Sequence, residues 1–472
     1  MWAMVRWLLL LWALLGGAWA AGGAAGAKVL VWWHAPFLSA GGYASEAVAF
    51  AQGMDAGGGA ELAALWLTPH GDAADPKVLE GLPQATADLL RRRIVPPHVT
   101  MRELDRAVRE SGAGAVVVVC HSEPGAWHKA RYQTTPCPPF GYRRRTAAGV
   151  PFAYVGRSMF ETDGLDPDHR ERLLRMDRLW VPTDWQRNVY AENGIPDAAV
   201  DVIGEPVDVD FYAPGGKKFT NAELRRLGKR LRLDGSAARD DDDDDAHSAV
   251  FLAVGKWESR KGFDVLVRAY AAAFCNSRAR PPLLVLKLSG YHGDVNAALP
   301  ALVAAANATC PGSLYVITDH IATTDMPALF RSATALVQPS RGEGWGRPHA
   351  EAMACGTPVI ATDWSGPQAF VDDSVGWLLR NEGLKPVEEA DPSHHWAFKG
   401  HRWATPSEAH LAALLASVAA APSSAALLGA SSRSRALASF APRRLAAQAV
   451  RLASVAAHAA ARDHPPDARA DL

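Results

Sequence analysis

Two acidic residues eight positions apart, Glu343 and Glu351, frame a glycine-rich run in the segment 339–367, PSRGEGWGRPHAEAMACGTPVIATDWSGP. Glycines 342, 344 and 346, with Trp345 among them, let backbone N–H groups approach an anion closely. A helix opening near Pro348, a favourable first-turn residue, adds its positive end at the same place. Carboxylates on either side of such a loop accept the hydroxyls of a sugar and of a ribose. The plainer alternative makes Glu343 a helix cap and Glu351 a surface residue. In a second segment, VGKWESRKGFD, Lys256 and Lys261 follow a strand that ends at Gly255, and Gly255 and Gly262 fold the loop back. Two cations so placed can grip a diphosphate and neutralise the charge that develops on a leaving group. Alone, they also read as solvated lysines.

Towards the amino end the signals are weaker. In HAPFLSAGGYASEA, Gly41 and Gly42 permit tight backbone approach, and Ser45 and Glu46 can begin a helix. His121 comes just past the buried run VVVV, where a side chain either reaches a cleft or serves as a structural histidine. Arg157, Glu161 and Asp163 follow another strand, and pairing of Arg157 with a carboxylate is the simplest reading. The five cysteines (120, 137, 275, 310 and 355) contain no CxxC pair. That pattern argues against a zinc site or a disulfide framework. One or two disulfides are compatible with an oxidising compartment, and the odd count leaves at least one thiol over.

The elements that must position these residues alternate along the chain. KVLVWW, GAVVVV, PFAYVGRS, RLWVPT and VDVIGEP, then AVFLAVGKW, PLLVLKLS, SLYVITD, ATALVQPS and TPVIATDW, read as buried parallel strands with helices between them. This predicts an α/β protein with two tandem Rossmann-like domains, 27–214 and 249–439, whose parallel sheets face each other across a cleft. Ligands of such sheets bind at the carboxyl ends of the strands, where the segments above fall. Residues 215–248, with six aspartates at 240–245, read as a solvated linker, and 440–472 as a terminal helix and disordered tail. A Rossmann oxidoreductase would need GxGxxG after its first strand; SGAGAVVVV precedes a strand instead.

Composition narrows the partners. The 472 residues hold 49 basic and 50 acidic side chains for a net charge of −1. This excludes nucleic-acid binding through a broad basic surface, so any bound anion belongs in a local pocket. Residues 1–26 read as a signal peptide or signal anchor: Arg6, the apolar WLLLLWALL, then Ala18-Trp19-Ala20 as a cleavage site. Cleavage is favoured because the first strand begins at Lys28 and leaves no stem. Either outcome puts the domains in the secretory lumen or outside the cell, and this segment is the only route to membrane association. The sequon Asn307-Ala308-Thr309 agrees with that address.

With these segments together, the chain resembles the retaining glycosyltransferases of family 4, which have the GT-B fold. VGKWESRKGFDVL and GEGWGRPHAEAMACGTPVIATDWSGP carry the likeness, WVPTDWQRNVYAENGI and GEPVDVDFYAP extend it over nearly all the mature chain, and WHAPFLSAGGYASEA, CHSEPGAW, GRSMFETDGL and GHRWATPSEAHL look like a plant and algal subgroup with secretory leaders. The resemblance implies that Lys256 and Lys261 bind a donor diphosphate, Glu343 the donor sugar and Glu351 the ribose. Backbone groups of Gly344, Trp345 and Gly346 would meet sugar or phosphate, with Gly255 in the lysine loop. Gly42 would lie beside the phosphates and His121 near the transferred sugar. It implies a UDP- or GDP-linked hexose donor, an acceptor that is a glycan, lipid, protein or small molecule, and neither metal nor cofactor. Three positions depart from the family: Lys256 replaces a frequent Arg, Ser365-Gly366-Pro367 a more usual Gly-Gly, and Ala369 a frequent Glu. The alternative is a GT-B-like protein that binds sugar or nucleotide without turnover.

Overall fold

The computed structural model describes residues 28–233, 249–275, 281–290, 295–306, 313–390 and 396–463. The leader, the aspartate run 240–245, the sequon at Asn307, Cys310 and the tail from 464 lie outside them.

The amino-terminal sheet is parallel throughout. Its strands are β1 (Val29–Ala35), β2 (Leu62–Pro69), β3 (Ala115–His121), β4 (Phe152–Arg157), β5 (Arg178–Val181) and β6 (Val200–Val202), in the order β2-β1-β3-β4-β5-β6. Every residue of β1, β3 and β4 is buried, because helices cover both faces; the strands therefore read as unbroken apolar runs. The order reverses between β1 and β3, which opens a crevice at their carboxyl ends.

The second sheet contains β7 (Lys229–Arg232), β8 (Val250–Lys256), β9 (Leu283–Ser289), β10 (Ser313–Ile317), β11 (Ala335–Gln338), β12 (Val359–Thr362) and β13 (Gly376–Leu379), in the order β13-β12-β11-β8-β9-β10-β7. Its reversal falls between β8 and β11. A hairpin of β14 (Asn381–Pro386) and β15 (Arg402–Pro406) stands apart from it.

Two boundaries differ from the sequence reading. The stretch 215–248 is not all linker: a helix, Asn221–Leu227, starts on a Thr220/Glu223 capping box, and β7 then pairs antiparallel with β10 at the sheet edge. The sequence KRLR hid this strand, since charge on an edge strand discourages further pairing and masks the apolar pattern. The terminal helix Pro442–Asp463 is not an appendage either. Leu445, Ala446, Ala449, Val450, Ala453, Ala456, Ala457 and Ala460 form a helical stripe buried in the amino-terminal core with Val31, Val117 and Val155. Backbone contact is close enough that a Cβ on Gly53 would overlap Pro442. The preceding helix, Pro422–Phe440, stays with the carboxyl-terminal core through Ala436 and Phe440. The chain thus crosses between domains near 203–214 and again near 441.

Cys120 and Cys137 form a disulfide, Cys275 is also disulfide-bonded, and Cys355 is a buried free thiol.

Candidate active site at the domain interface

Adjacent strands β8 and β11 bring the two carboxyl-domain signals together. Lys256 is the last residue of β8, half-buried, with its charge acting on Glu258. Lys261 ends the short 3-10 turn Ser259–Lys261, and Gly262, at φ 67°, presses that turn against the β11 loop so closely that a Cβ would strike the Pro339 carbonyl. Lys261 Nζ lies 2.7 and 2.9 Å from the two Glu343 oxygens, and Ser340 Oγ donates to Oε1 at 2.7 Å. Arg260, which the sequence reading missed, donates to Glu343 Oε2 at 2.9 Å and to the Gly342 carbonyl at 2.7 Å. It also meets Glu258 at 3.1 Å and Glu161 of the amino domain at 3.7 Å. Burial pushes the Glu343 carboxyl up in pKa, but Lys261 and Arg260 outweigh it and hold the group well below the usual carboxylate range. Glu343 is a permanent anion in a cationic socket.

The glycines have a packing task that their sequence context did not suggest. A Cβ on Gly344 would lie 2.6 Å from Met159, and one on Gly342 would collide with the Glu161 carbonyl. Their lack of a side chain admits the amino-domain segment 159–161 to the loop. Trp345 is buried against Phe370, at 4.6 Å between centroids, and Phe440, with its ring edge over Gly204; it is a packing residue that meets the interdomain crossover. Gly346 has φ 105° and opens the helix Arg347–Ala354. At Ser365, φ 65° and ψ −149° is a conformation that favours glycine, at a cost of about 1–3 kcal/mol for other residues. Its Oγ accepts the Glu343 N–H at 3.0 Å, a contact that glycine cannot make.

Glu351 sits one turn into the helix Arg347–Ala354 and is largely buried instead of lying on the surface. Burial raises its pKa, and Arg347, at 3.6 Å, opposes the rise. Gly42, exposed at the start of the helix Gly42–Asp55, faces Arg347: a Cβ there would lie 3.8 Å from Arg347 Cδ. The amino-domain glycine and the carboxyl-domain helix therefore face each other, while Gly255 packs beside Lys261.

His121 does not reach open cleft. It is the last residue of β3, fully buried; Nδ1 accepts the Trp33 indole N–H at 3.1 Å and Nε2 lies 3.0 Å from Glu46 Oε2. Because an indole can only donate, the proton resides on Nε2 and is given to Glu46. Burial lowers the His121 pKa and keeps the ring neutral. Arg157 binds the other Glu46 oxygen through Nε at 2.8 Å and Nη2 at 2.6 Å, and the Ile203 carbonyl through Nη1 at 2.7 Å. The carboxylate paired with Arg157 is thus Glu46, while Glu161 and Asp163 turn to the other domain. Asp163 accepts the Arg402 N–H and Nε–H, both at 2.7 Å, and Thr162 bonds His401 at 2.8 Å. GRSMFETDGL and GHRWATPSEAHL are two sides of one contact.

Among the described residues, no group of three or more His, Cys, Asp or Glu side chains stands ready to hold a metal ion, and no single helix is long and apolar enough to cross a membrane.

Residues 248–390 match the family described as Glycosyl transferases group 1, the part of the chain that holds Lys256, Lys261, Glu343 and Glu351. The D-inositol 3-phosphate glycosyltransferases of Mycobacterium tuberculosis and Mycobacterium bovis are 26% identical over 340 residues, which cover 68% of this chain. The match spans 65% of the length of these curated relatives. Among solved structures, the glycosyltransferase of Rickettsia africae superposes with a TM-score of 0.57 at 12% identity, over 91% of this chain and 98% of its own. Anabaena HepE in complex with UDP and glucose gives 0.55 at 12% identity, over 90% and 99%. Sucrose-phosphate synthase of Thermosynechococcus elongatus gives 0.55 at 15% identity, over 90% and 98%. The fold is GT-B.

Proposed function

We propose that this protein is a retaining glycosyltransferase that moves a hexosyl unit from a UDP- or GDP-linked donor to an acceptor hydroxyl without a metal ion. The observation that carries the reading is the Lys261–Glu343 pair, 2.7 Å apart at the carboxyl ends of β8 and β11 and roofed by the amino-domain segment 159–161. A diphosphate entering beside it meets Lys261, Arg260 and the rim lysine Lys256. Each Glu343 oxygen accepts two bonds from the protein, Lys261 and Ser340 on one, Lys261 and Arg260 on the other. When Lys261 turns to phosphate, it frees acceptor capacity on Glu343 for a sugar hydroxyl.

In the transfer, the bond from anomeric carbon to phosphate oxygen breaks while the acceptor oxygen bonds to that carbon on the same face. The acceptor proton passes to the departing diphosphate, whose charge the cations hold. Glu351 binds the ribose. Gly42 lets the amino domain approach the phosphates, and His121, with both nitrogens engaged, acts from behind the cleft by fixing the Gly42 helix through Glu46. The glycosyltransferase names of the mycobacterial relatives and the UDP and glucose bound to HepE support a nucleotide-sugar donor. The disulfide Cys120–Cys137 supports a secretory-lumen address. Survival of Lys261, Glu343 and Glu351 together speaks against an inactive binding protein.

The test is a nucleotide-sugar binding screen on the leader-free protein, followed by transfer assays with the product anomer read by NMR. Lys261→Ala and Glu343→Ala should each abolish turnover with the circular dichroism spectrum intact. Full activity in either variant, or an inverted anomer, would refute the assignment.

A further inference from the structure

We propose that Arg347 is the positioning residue for Glu351: it holds that carboxylate aligned for the donor ribose and does so from an anchor on the interdomain crossover. The inference rests on the donor reading above and adds a residue to it. Arg347 is the first residue after the glycine-rich turn, yet its side chain does not run out to solvent. It is 11% exposed, and Nη1 donates to Glu205 Oε2 at 3.2 Å and to the Pro206 carbonyl at 3.1 Å. Those two bonds fix the guanidinium against the segment through which the chain passes between domains. Nε is buried without a hydrogen-bond partner among the described residues, and Glu351 Oε1 stands 3.6 Å from it. The Cδ lies over Gly42. One planar group therefore bonds the crossover, faces the amino-domain glycine and keeps its Nε–H unspent beside Glu351. A planar guanidinium suits the task because its donors have a fixed mutual geometry.

The electrostatics fit the placement. Glu351 is a largely buried carboxylate whose charged form burial disfavours, and among the described residues Arg347 is the cation that acts against that effect. The other titratable groups facing it are the Tyr212 phenol and the Cys355 thiol, whose charges would repel it and which burial keeps protonated, Cys355 with a pKa pushed up to about 12. Glu205, on the far side of Arg347, is pushed up to about 8, with burial the largest cause and the Glu46 charge next. At neutral pH it holds its proton and leaves the Arg347 charge to Glu351. Without Arg347, Glu351 takes up a proton at higher pH than it does in the wild-type chain, and the protonated group loses acceptor capacity for the ribose hydroxyls.

The experiment compares donor KM, kcat and pH profile in the full chain for wild type, Arg347→Leu, Arg347→Lys, Glu351→Gln and the double variant Arg347→Leu/Glu351→Gln. Arg347→Leu should raise donor KM about tenfold or more, the scale of one lost bond to a charged group, with kcat much less affected. Its KM should climb further as pH falls, and at a higher pH than any such rise in wild type. Arg347→Lys should restore the flat profile and part of the affinity, and the double variant should be no worse than Glu351→Gln. Should Arg347→Leu fail to fold, Arg347→Lys and Glu351→Gln still carry the comparison: the lysine variant must show an intermediate KM with a flat profile. A wild-type donor KM and pH profile in Arg347→Leu, with only the melting temperature lowered, overturns the inference while the donor reading stands. A wild-type chain that binds no nucleotide sugar overturns both.

Discussion

Two buried carboxylates, one in each domain, are held by similar neighbours and do different work. Glu46 lies between Arg157 and His121, Glu343 between Lys261 and Arg260. The amino-domain cluster is sealed: the side chains of Glu46, His121 and Arg157 are all wholly inaccessible to solvent. Its bonds run to β1 through Trp33 and to the crossover through Ile203. No position in it is left for a ligand without dismantling the helix that carries Gly42. The carboxyl-domain cluster lies at strand ends, its side chains retain some exposure, and its cations Lys261 and Arg260 are shared among Glu343, Glu258 and Glu161. Cations shared in this way at an accessible rim can turn to an incoming anion. Access, more than residue type, separates a sealed ion cluster from one that a ligand can reach.

The sharpest way to break this contrast is to neutralise each carboxylate in turn. Glu46→Gln leaves Arg157 buried beside an uncharged partner. Removing one member of a buried pair costs about 3–5 kcal/mol, so the urea midpoint should fall steeply, while the fraction that stays folded keeps its donor affinity. Glu343→Gln should do the reverse: turnover falls by about 10²–10³-fold, the scale of losing one preorganised contact to a developing charge, with a much smaller change in the midpoint. Equal stability losses in both variants would erase the distinction.

Acid provides a milder version of the same test. The Glu46 carboxyl is pulled down to about 2 from an ordinary 4.5, with Arg157 and His121 outweighing burial. A carboxyl depressed on folding contributes stability that is complete above its unfolded pKa and is lost as pH falls towards the folded one. Global stability should therefore decline between about pH 5 and pH 2, by on the order of 3 kcal/mol from this group. His121, whose folded pKa is also lowered, acts in the same direction, since the unfolded chain binds a proton that the folded one refuses. Glu46→Gln should flatten the carboxyl part of that decline in pH-dependent denaturant titrations. A wild-type slope in the variant would mean that the ion pair contributes nothing net.

Much of the fold, and half of the site, was legible in the residues. Runs such as VLVWW and AVVVV announce strands buried on both faces, and the turn GEGWGRP between a strand and a helix puts Glu343 where β11 ends. Other features are set by contacts that sequence does not encode locally. Whether His121 points into the cleft depends on a strand end shifting by a single residue. Because β3 includes it, it shares a face with Val117 and Val119 under the Gly42 helix, while Cys120 faces the other way to its disulfide. The alanine stripe of the terminal helix specifies a packing face without saying which sheet it covers. Arg260 looks like one more basic residue in ESRKG until the 3-10 turn places it beside Lys261. The glycines suggested an anion cradle, yet only the presence of Met159 and Glu161 across the interface shows that they also admit the other domain.

The smallest expected effect concerns how the two clusters are kept in register. Asp163 on the amino domain accepts two bonds from Arg402 on the β14–β15 hairpin, and Thr162 meets His401 beside it. Arg402 is 59% exposed, so its charge is well solvated and its removal should change stability by no more than about 1 kcal/mol. Asp163→Asn keeps the shape of the contact and removes its charge. If the contact only decorates the surface, donor KM stays put in Asp163→Asn and in Arg402→Ala. If it holds segment 159–163 over the Gly342–Gly344 turn, both variants should raise donor KM by about two- to fivefold, the range of a partly exposed ion pair. Donor KM should also rise more steeply with ionic strength in wild type than in the variants, which lack the screened pair. A salt-insensitive wild type would show that apolar contacts, such as Trp185 with Trp364 at 5.1 Å, hold the domains together without this pair.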